Sequence, residues 1–217
     1  MCYHYRMLRP ALRPTHSLPE GYALRAAFSA RERRTLLLLN LAGLALLILF
    51  GWRFAALALR LRPLDAAAAL SFDFSGAQLL SAVIVVLLLT GLMLVLHEAI
   101  HGLGFWLATG ARPTFGIGRG YAYAAAPEWY LPRSRYLWIG LAPLLVISSL
   151  AVLVIAFGPP VLIGPALLLA VMNASGAVGD LWVVYLLLRQ PPGALVCDRG
   201  DEVRFYLPQP PPPVDSP

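Results

Sequence analysis

Three long stretches of this chain carry almost no charge, and they constrain its fold more than any other feature. Residues 35–52 and 136–179 contain no charged side chain, and residues 74–110 contain only Glu98. A helix crosses the hydrocarbon core of a bilayer with about 20 apolar residues. Charged residues make up 13% of the chain and the mean hydropathy is +0.71, whereas soluble domains carry about 25% charge. The pattern predicts an integral membrane protein.

The longest uncharged stretch is too long for one membrane-spanning helix. The turn sequence Gly158-Pro159-Pro160 divides it into spans at about 137–157 and 161–188. Together with the first two stretches this gives about four transmembrane helices. The segment 53–73 between the first two spans holds five charged residues. It is predicted to be a connection that includes an interfacial helix.

Composition divides the chain into three regions. Residues 1–34 are polar and arginine-rich, residues 35–190 form the membrane domain, and residues 191–217 form a polar tail with a proline-rich, disordered end. A small hairpin is predicted in the tail, from Gly193 to Leu207. The loop at 112–135 alternates in polarity as strands do. The predicted fold class is therefore an all-α integral membrane protein with a small β-hairpin-like loop between spans 2 and 3.

The distribution of arginine predicts the orientation in the membrane. The chain has no lysine, and its 17 arginines divide as seven before the first span, three and four in the first two connections, none in the third and three in the tail. Short arginine-rich segments stay in the cytoplasm, which predicts a multi-pass cell-membrane protein with both termini cytoplasmic and Gly158 outside. Because the arginines border apolar runs, their partners are lipid headgroups, and no nucleic acid is expected.

The second span contains the motif H-E-x-x-H at His97, Glu98 and His101. On a helix the two histidines lie one turn apart, about 6 Å, and project from one face, which suits two ligands of one tetrahedral Zn²⁺. Glu98 follows the first ligand and is predicted to be the general base that takes a proton from water and passes it to the leaving amine. A charged side chain in the bilayer core costs about 2.5–3.5 kcal/mol, so its presence there indicates a function.

A catalytic zinc needs a third protein ligand and one open position. Asp180 is the one other acid within the predicted spans. Counted from the outer ends of their spans, His97 and Asp180 both lie roughly 28 Å deep at a rise of 1.5 Å per residue. The three candidate ligands are therefore expected to meet near the cytoplasmic end. The alternative is an aspartate that meets water at the membrane exit.

Asn173 is a second catalytic candidate. It lies seven residues before Asp180, on the same helix face. Its amide is predicted to donate a hydrogen bond to a substrate carbonyl or oxyanion. The alternative is an amide that packs against, or hydrogen-bonds, another helix.

These segments together resemble a known family. The order of HEAIHGLGF, a Gly/Tyr-rich loop, YLWIGLAPLL and NASGAVGDL, over about residues 85–206, resembles a bacterial family of zincin-type peptidases. It is also similar to the site-2 proteases, which cut within or near membranes. Two positions depart from the site-2 pattern: Leu181 stands where glycine usually follows the aspartate, and Gly176 where a proline bends the helix. The resemblance implies a catalytic base and three zinc ligands, namely Glu98 with His97, His101 and Asp180.

The sequence thus predicts an intramembrane zinc metallopeptidase that cleaves membrane-protein or peptide substrates in contact with lipid. A metal transporter and a non-catalytic membrane scaffold are the alternatives. Transporters usually have internal repeats and ionisable groups on several helices, and this sequence has one ionisable cluster and no repeat. A scaffold has no need of a general base beside its metal ligands.

The loop at 112–130 follows the metal-binding helix on its cytoplasmic side. A helical substrate must unwind before cleavage, and in lipid its freed backbone groups need partners. An exposed strand edge supplies such partners, so the loop is predicted to offer one beside the metal, and proline at Ala122 or Tyr123 is predicted to disrupt it. The alternative is a connecting loop that its arginines hold at the headgroups.

Overall fold

A computed structural model describes residues 13–29, 32–71, 76–118 and 121–209. The helices of these residues are α1 (Arg33–Leu61), α2 (Pro63–Leu70), α3 (Gly76–Thr109), α4 (Arg133–Phe157), α5 (Ile163–Gly176) and α6 (Val178–Leu188), with a short 3-10 helix at Pro160–Leu162. The strands are β1 (Tyr22–Ser29), β2 (Thr114–Ile117), β3 (Ala122–Ala125), β4 (Leu131–Pro132), β5 (Leu195–Asp198) and β6 (Glu202–Pro208).

Three helices, α1, α3 and α4, are long and apolar enough to cross a membrane, and α5 with α6 makes a fourth if the bent pair counts as one span. The number agrees with the sequence-based prediction of about four. The end of the first span does not, because α1 continues from residue 52 to Leu61 and includes Arg53 and Arg60. The predicted span ended where the first charged residue, Arg53, follows it. Arginine is a good helix former, so the helix continues almost to Pro63.

The fourth predicted span is broken. Helices α5 and α6 meet at Ala177 with a bend of 45°. Gly176, a weak helix former, precedes the bend, and Asp180 follows it in the first turn of α6. Helix α1 passes close to this break, because a Cβ added at Gly43 would lie 3.3 Å from the carbonyl oxygen of Ser175. The break therefore places Asp180 beside both α1 and α3.

The ends of the helices agree with the predicted arrangement of the connections. At the end of α1, Arg62 forms an ion pair with Asp65 of α2 at 2.6 Å. The same guanidinium donates a hydrogen bond to the carbonyl of Gly158, in the turn after α4. The first and third connections thus lie at one end of the molecule. The interfacial helix predicted within 53–73 corresponds in position to α2.

The all-α prediction is too narrow, because the described residues also form two sheets. The first has the strand order β1-β6-β5-β4 and the second pairs β2 with β3, all antiparallel. The hairpins predicted in the loop and in the tail are confirmed as β2–β3 and β5–β6. Strand β1 lies in a segment predicted only to be polar, and its partner β6 is about 180 residues away in sequence. The disordered end was predicted to begin at Pro208, but Pro208 is the last residue of β6 and pairs with Tyr22 of β1. The rest of that predicted end, residues 210–217, lies outside the described residues.

The four-stranded sheet packs on the same end of the helices as the H-E-x-x-H motif. Its buried side chains join those of α3, α4 and α6 in one hydrophobic cluster that includes Phe105, Leu131, Leu187 and Phe205. A second cluster, on the far side, joins α1, α2, α4 and α5. The motif therefore lies between a helical bundle and a small sheet.

Candidate metal centre

Helix α3 presents the two motif histidines to the protein interior. His97 and His101 are 6% and 7% exposed, and their ring centroids are 4.9 Å apart. Their spacing of four residues makes them neighbours on one helix face. The side chains on the opposite face, such as Leu103 and Leu107, are exposed. The face of α3 that carries the imidazoles thus points into the protein, while its opposite face is apolar and exposed.

Asp180 faces both imidazoles. Its Oδ2 lies 2.9 Å from Nε2 of His97, and its Oδ1 lies 3.3 Å from Nε2 of His101. One ligand atom from each of these three residues lies within 4.8 Å of the others. The structure therefore brings together the three residues that the sequence suggested as metal ligands, and the bend between α5 and α6 is what positions the aspartate.

Backbone carbonyls determine which nitrogen of each histidine carries the proton. The carbonyl of Ile139, which can only accept, lies 3.0 Å from Nδ1 of His101, so Nδ1 is the donor. Asn173 donates from Nδ2 to the carbonyl of Pro143 at 3.3 Å. That bond turns Oδ1 of Asn173 toward Nδ1 of His97, 2.9 Å away, which must then donate as well. In the neutral state both Nε2 lone pairs therefore point at the carboxylate of Asp180.

This arrangement fits a zinc ion. Two imidazole lone pairs and a carboxylate converge, and three acceptors in such proximity repel one another unless a cation or protons lie between them. Nitrogen and oxygen donors of this kind, in sets of three, hold catalytic zinc. Hydrogen bonds from the remote imidazole nitrogens to fixed oxygens are the usual support of zinc-binding histidines. The residues present thus match both the ligands and the supporting contacts of a zinc site.

Glu98 lies beside this cluster and faces a cavity. It is half-buried, and its carboxylate lies near the backbone of Ala124 of β3. The cavity has a volume of about 520 Å³. Its walls come from α1, α3, the bend between α5 and α6, β3 and the β5–β6 turn. A carboxylate in this position can reach a water molecule at the metal site and a peptide lying in the cavity.

The edge of β3 that does not pair with β2 lies along the same cavity. The amide of Gly118 donates to the carbonyl of Tyr121 at the hairpin turn. In antiparallel strands, hydrogen-bonded and non-hydrogen-bonded pairs alternate, so Tyr123 is also bonded to β2 through its partner Gly116. Ala122 and Ala124 then direct their backbone groups to the free edge.

A second polar cluster, which was not predicted from the sequence, borders the cavity. The hydroxyl of Tyr136 on α4 donates to Oδ2 of Asp198 at 2.5 Å, and the amide of Gly200 donates to Oδ1 at 2.8 Å. Asp198 is 7% exposed. Burial raises the pKa of Asp198, although the hydrogen bonds from Tyr136 and Gly200 act in the opposite direction. The cluster ties the β5–β6 turn to the helix that supports His101.

The raised pKa of Asp198 predicts a pH dependence of stability. Between its ordinary pKa of 3.8 and its raised value, the folded chain binds the proton more tightly than the unfolded chain. The free energy of unfolding therefore falls as the pH rises through that window. Asp198→Asn should remove this decline in thermal unfolding measured in detergent. Asp201→Asn, in the same turn, is the control, and parallel curves for wild type and Asp198→Asn would contradict the assignment.

Comparison with known proteins agrees with the zinc site. Residues 90–195 match the model of a family described as "Putative zincin peptidase". The match, just under half of the chain, contains the motif in α3, Asn173 and Asp180, and it supports that family. Zincins are zinc-dependent, which agrees with the cluster of two histidines and an aspartate. No curated protein and no solved structure matches the chain.

Proposed function

We propose that this chain is an intramembrane zinc metallopeptidase, similar to the site-2 proteases, that hydrolyses peptide bonds of membrane-associated substrates. The observation that carries the proposal is the convergence of His97, His101 and Asp180, with Glu98 beside them, on one cavity between apolar helices. The match to a zincin family supports the reaction class. The membrane setting rests on the length and apolar composition of the helices.

In this proposal the three ligands hold the metal and Glu98 moves the proton. Bound zinc lowers the pKa of water to about 7 and polarises a carbonyl group. Glu98 takes one proton from the attacking water as its oxygen bonds to the scissile carbonyl carbon. It then gives that proton to the nitrogen of the leaving amine as the C–N bond breaks. The products are a new carboxyl terminus and a new amino terminus.

Asn173 is assigned a positioning role. It is fully buried, and its amide already donates to Pro143 and accepts from His97. These contacts favour orientation of the zinc ligand over the direct hydrogen bond to substrate that the sequence suggested. The contacts correspond to the alternative considered for Asn173, an amide that hydrogen-bonds another helix. In this proposal that amide also sets the tautomer of His97.

The proposed orientation places the metal site toward the cytoplasm. The start of α1, the end of α3, the start of α4 and the end of α6 lie on one side if all four spans cross. Arginines 33, 34, 112, 133, 135 and 189 lie at these ends. Such residues interact with headgroups and remain cytoplasmic. The proposal is thus a multi-pass bacterial cell-membrane protein with both termini in the cytoplasm, and a fusion reporter at Gly158 should report the outside.

We further propose that the substrate lies extended along the free edge of β3. An unwound segment needs partners for its backbone groups in an apolar environment, and β-strand addition provides them. Ala122 offers its amide and carbonyl at that edge, within the cavity that also contains Glu98. The hairpin is held in place by α3, because Gly102 leaves just enough room for Phe115 and Pro113 of the loop.

Proline at this edge should weaken cleavage and leave the metal in place. Ala122→Pro removes one amide donor, and the substrate carbonyl left without a partner costs about 1–3 kcal/mol, so cleavage should fall by about 5- to 150-fold. The measurement is the initial rate of cleavage of a reconstituted substrate, together with zinc content.

Ile117→Pro is the matched control for that experiment. Ile117 pairs with Ala122 in the ladder but directs its amide to the outer edge of β2, away from the cavity. It should keep both zinc and activity. If Ala122→Pro cleaves as fast as this control, the free edge does not bind the substrate.

The proposed reaction is tested with purified protein in lipid vesicles and a single-span substrate peptide. Removal of zinc by a chelator should stop cleavage and its return should restore it, with two fragments whose masses sum to that of the substrate plus one water. Zinc that crosses the vesicle membrane without any cleavage would instead indicate a transporter. Bound zinc with neither transport nor cleavage would indicate a scaffold.

A further inference from the structure

Both carbonyls that fix the histidine tautomers come from one turn of α4. Ile139 accepts from His101, and Pro143 accepts from Asn173, which in turn orients His97. Residues four apart lie on the same face of a helix. Both supports of the metal site therefore depend on the backbone of a single turn, and that turn contains the proline inside α4.

The proline explains why the carbonyl of Ile139 is available. In an α-helix the carbonyl of residue 139 accepts the amide hydrogen of residue 143. Proline has no such hydrogen, and its ring pushes the carbonyl four residues earlier aside. Ile139 is 5% exposed, so its carbonyl would stay without a partner at a considerable cost in an apolar environment. Nδ1 of His101, at 3.0 Å, supplies the missing donor.

We propose that Pro143 is a positioning residue of the metal site. By lacking an amide hydrogen it reserves the Ile139 carbonyl for His101 and so keeps the lone pair of Nε2 directed at the metal. The inference rests on the zinc site of the proposed function. The new element is that the site requires a missing backbone hydrogen bond in a neighbouring helix, α4. Pro143, which causes it, belongs neither to the H-E-x-x-H motif nor to the three ligands.

Close packing makes this contact sensitive to the path of α4. A Cβ added at Gly104, one turn after His101, would lie 3.2 Å from Cγ1 of Ile139. On the other side of α4, a Cβ added at Gly140 would lie 3.2 Å from Cγ2 of Val184 in α6. Helix α4 is thus held between the helices that carry the histidines and the aspartate. This close packing opposes a shift of α4 that would let the Ile139 carbonyl follow a displaced imidazole.

The test compares zinc affinity in wild type and Pro143→Ala. The alanine amide can donate to the Ile139 carbonyl and compete with His101. Loss of such a support typically costs about 10–100-fold in metal affinity, which competition with a chromophoric chelator measures. The electronic spectrum of the Co²⁺-substituted protein should also change. Pro165→Ala is the control, because residue 165 lies in the first turn of α5, where amides have no acceptor within the helix; it should bind zinc as wild type does.

An amide-to-ester variant separates the missing hydrogen from the shape of the ring. Lactic acid, the α-hydroxy analogue of alanine, introduced at position 143 by nonsense suppression, lacks both the ring and the amide hydrogen. This ester variant should have wild-type zinc affinity and the wild-type Co²⁺ spectrum. If Pro143→Ala does not fold, the ester variant is compared directly with wild type. Wild-type affinity in Pro143→Ala, or an ester variant as weak as the alanine variant, would overturn the inference. A wild-type protein without zinc would overturn the proposed function itself.

Discussion

Zinc should be lost from the protein when either motif histidine is replaced by alanine. Wild type is expected to bind one Zn²⁺ per chain, because two imidazoles and one carboxylate converge within 4.8 Å. His97→Ala or His101→Ala leaves two protein ligands, fewer than the three of a catalytic zinc site, and leaves Asp180 without one of its partners. Metal analysis of the purified variants should find no zinc.

His16→Ala is the matched control for this prediction. His16 lies against Trp129, with ring centroids 3.7 Å apart, and makes no part of the cluster. Its removal tests whether the loss of any histidine lowers the zinc content of the preparation. Full occupancy in both His97→Ala and His101→Ala would end the assignment of the metal site.

Glu98→Gln should keep the zinc and lose the reaction. The amide has nearly the shape of the carboxylate but cannot accept a proton from water. General-base help is typically worth about 10²–10⁴-fold in rate, so the initial rate of substrate cleavage should fall by that factor. Zinc content should equal that of wild type, because Glu98 is not one of the converging ligands.

The alternatives make a different prediction for the same variant. If the protein is a transporter or scaffold that uses only the metal ligands, Glu98→Gln should leave its metal transport or metal binding unchanged. Asp201→Asn removes an acid from another wall of the same cavity and controls for the loss of negative charge near the substrate. A Glu98→Gln protein that cleaves at the wild-type rate would place the base elsewhere.

The sequence predicted the helices better than their ends. Long uncharged runs indicate spans directly, because the hydrocarbon core selects apolar side chains. The end of α1 and the bend at Ala177 were not predicted. An arginine does not stop a helix, and a single Gly176 within an apolar run can be either a packing residue or a break. Local composition does not distinguish these cases.

The sheet depended on contacts that sequence alone does not reveal. The hairpins β2–β3 and β5–β6 are local, and the turn residues between their strands indicated them. Strand β1 is paired with a strand at the other end of the chain, and nothing in its own short sequence specifies that partner. The prediction of an all-α protein was too narrow for this reason, although helices form most of the described fold.

The candidate ligands were predictable, and their supports were not. The motif identified two histidines, and the cost of a buried acid in a membrane identified Asp180. The carbonyl of Ile139 has no sequence pattern, and the pairing of Tyr136 with Asp198 joins residues 62 positions apart. The proline in α4 was visible in the sequence, but its effect becomes apparent only when His101 is found opposite the carbonyl that it frees.

Hydrolysis in water enriched in heavy oxygen tests the central claim most directly. Zinc-loaded wild type, reconstituted with a single-span substrate, should yield a new carboxyl terminus that carries one heavy oxygen atom, as mass spectrometry of the fragments would detect. The same measurement on Glu98→Gln should yield intact substrate. Substrates left intact by zinc-loaded wild type, or labelled fragments formed equally by Glu98→Gln, would contradict the account of this protein as a zinc peptidase with Glu98 as its base.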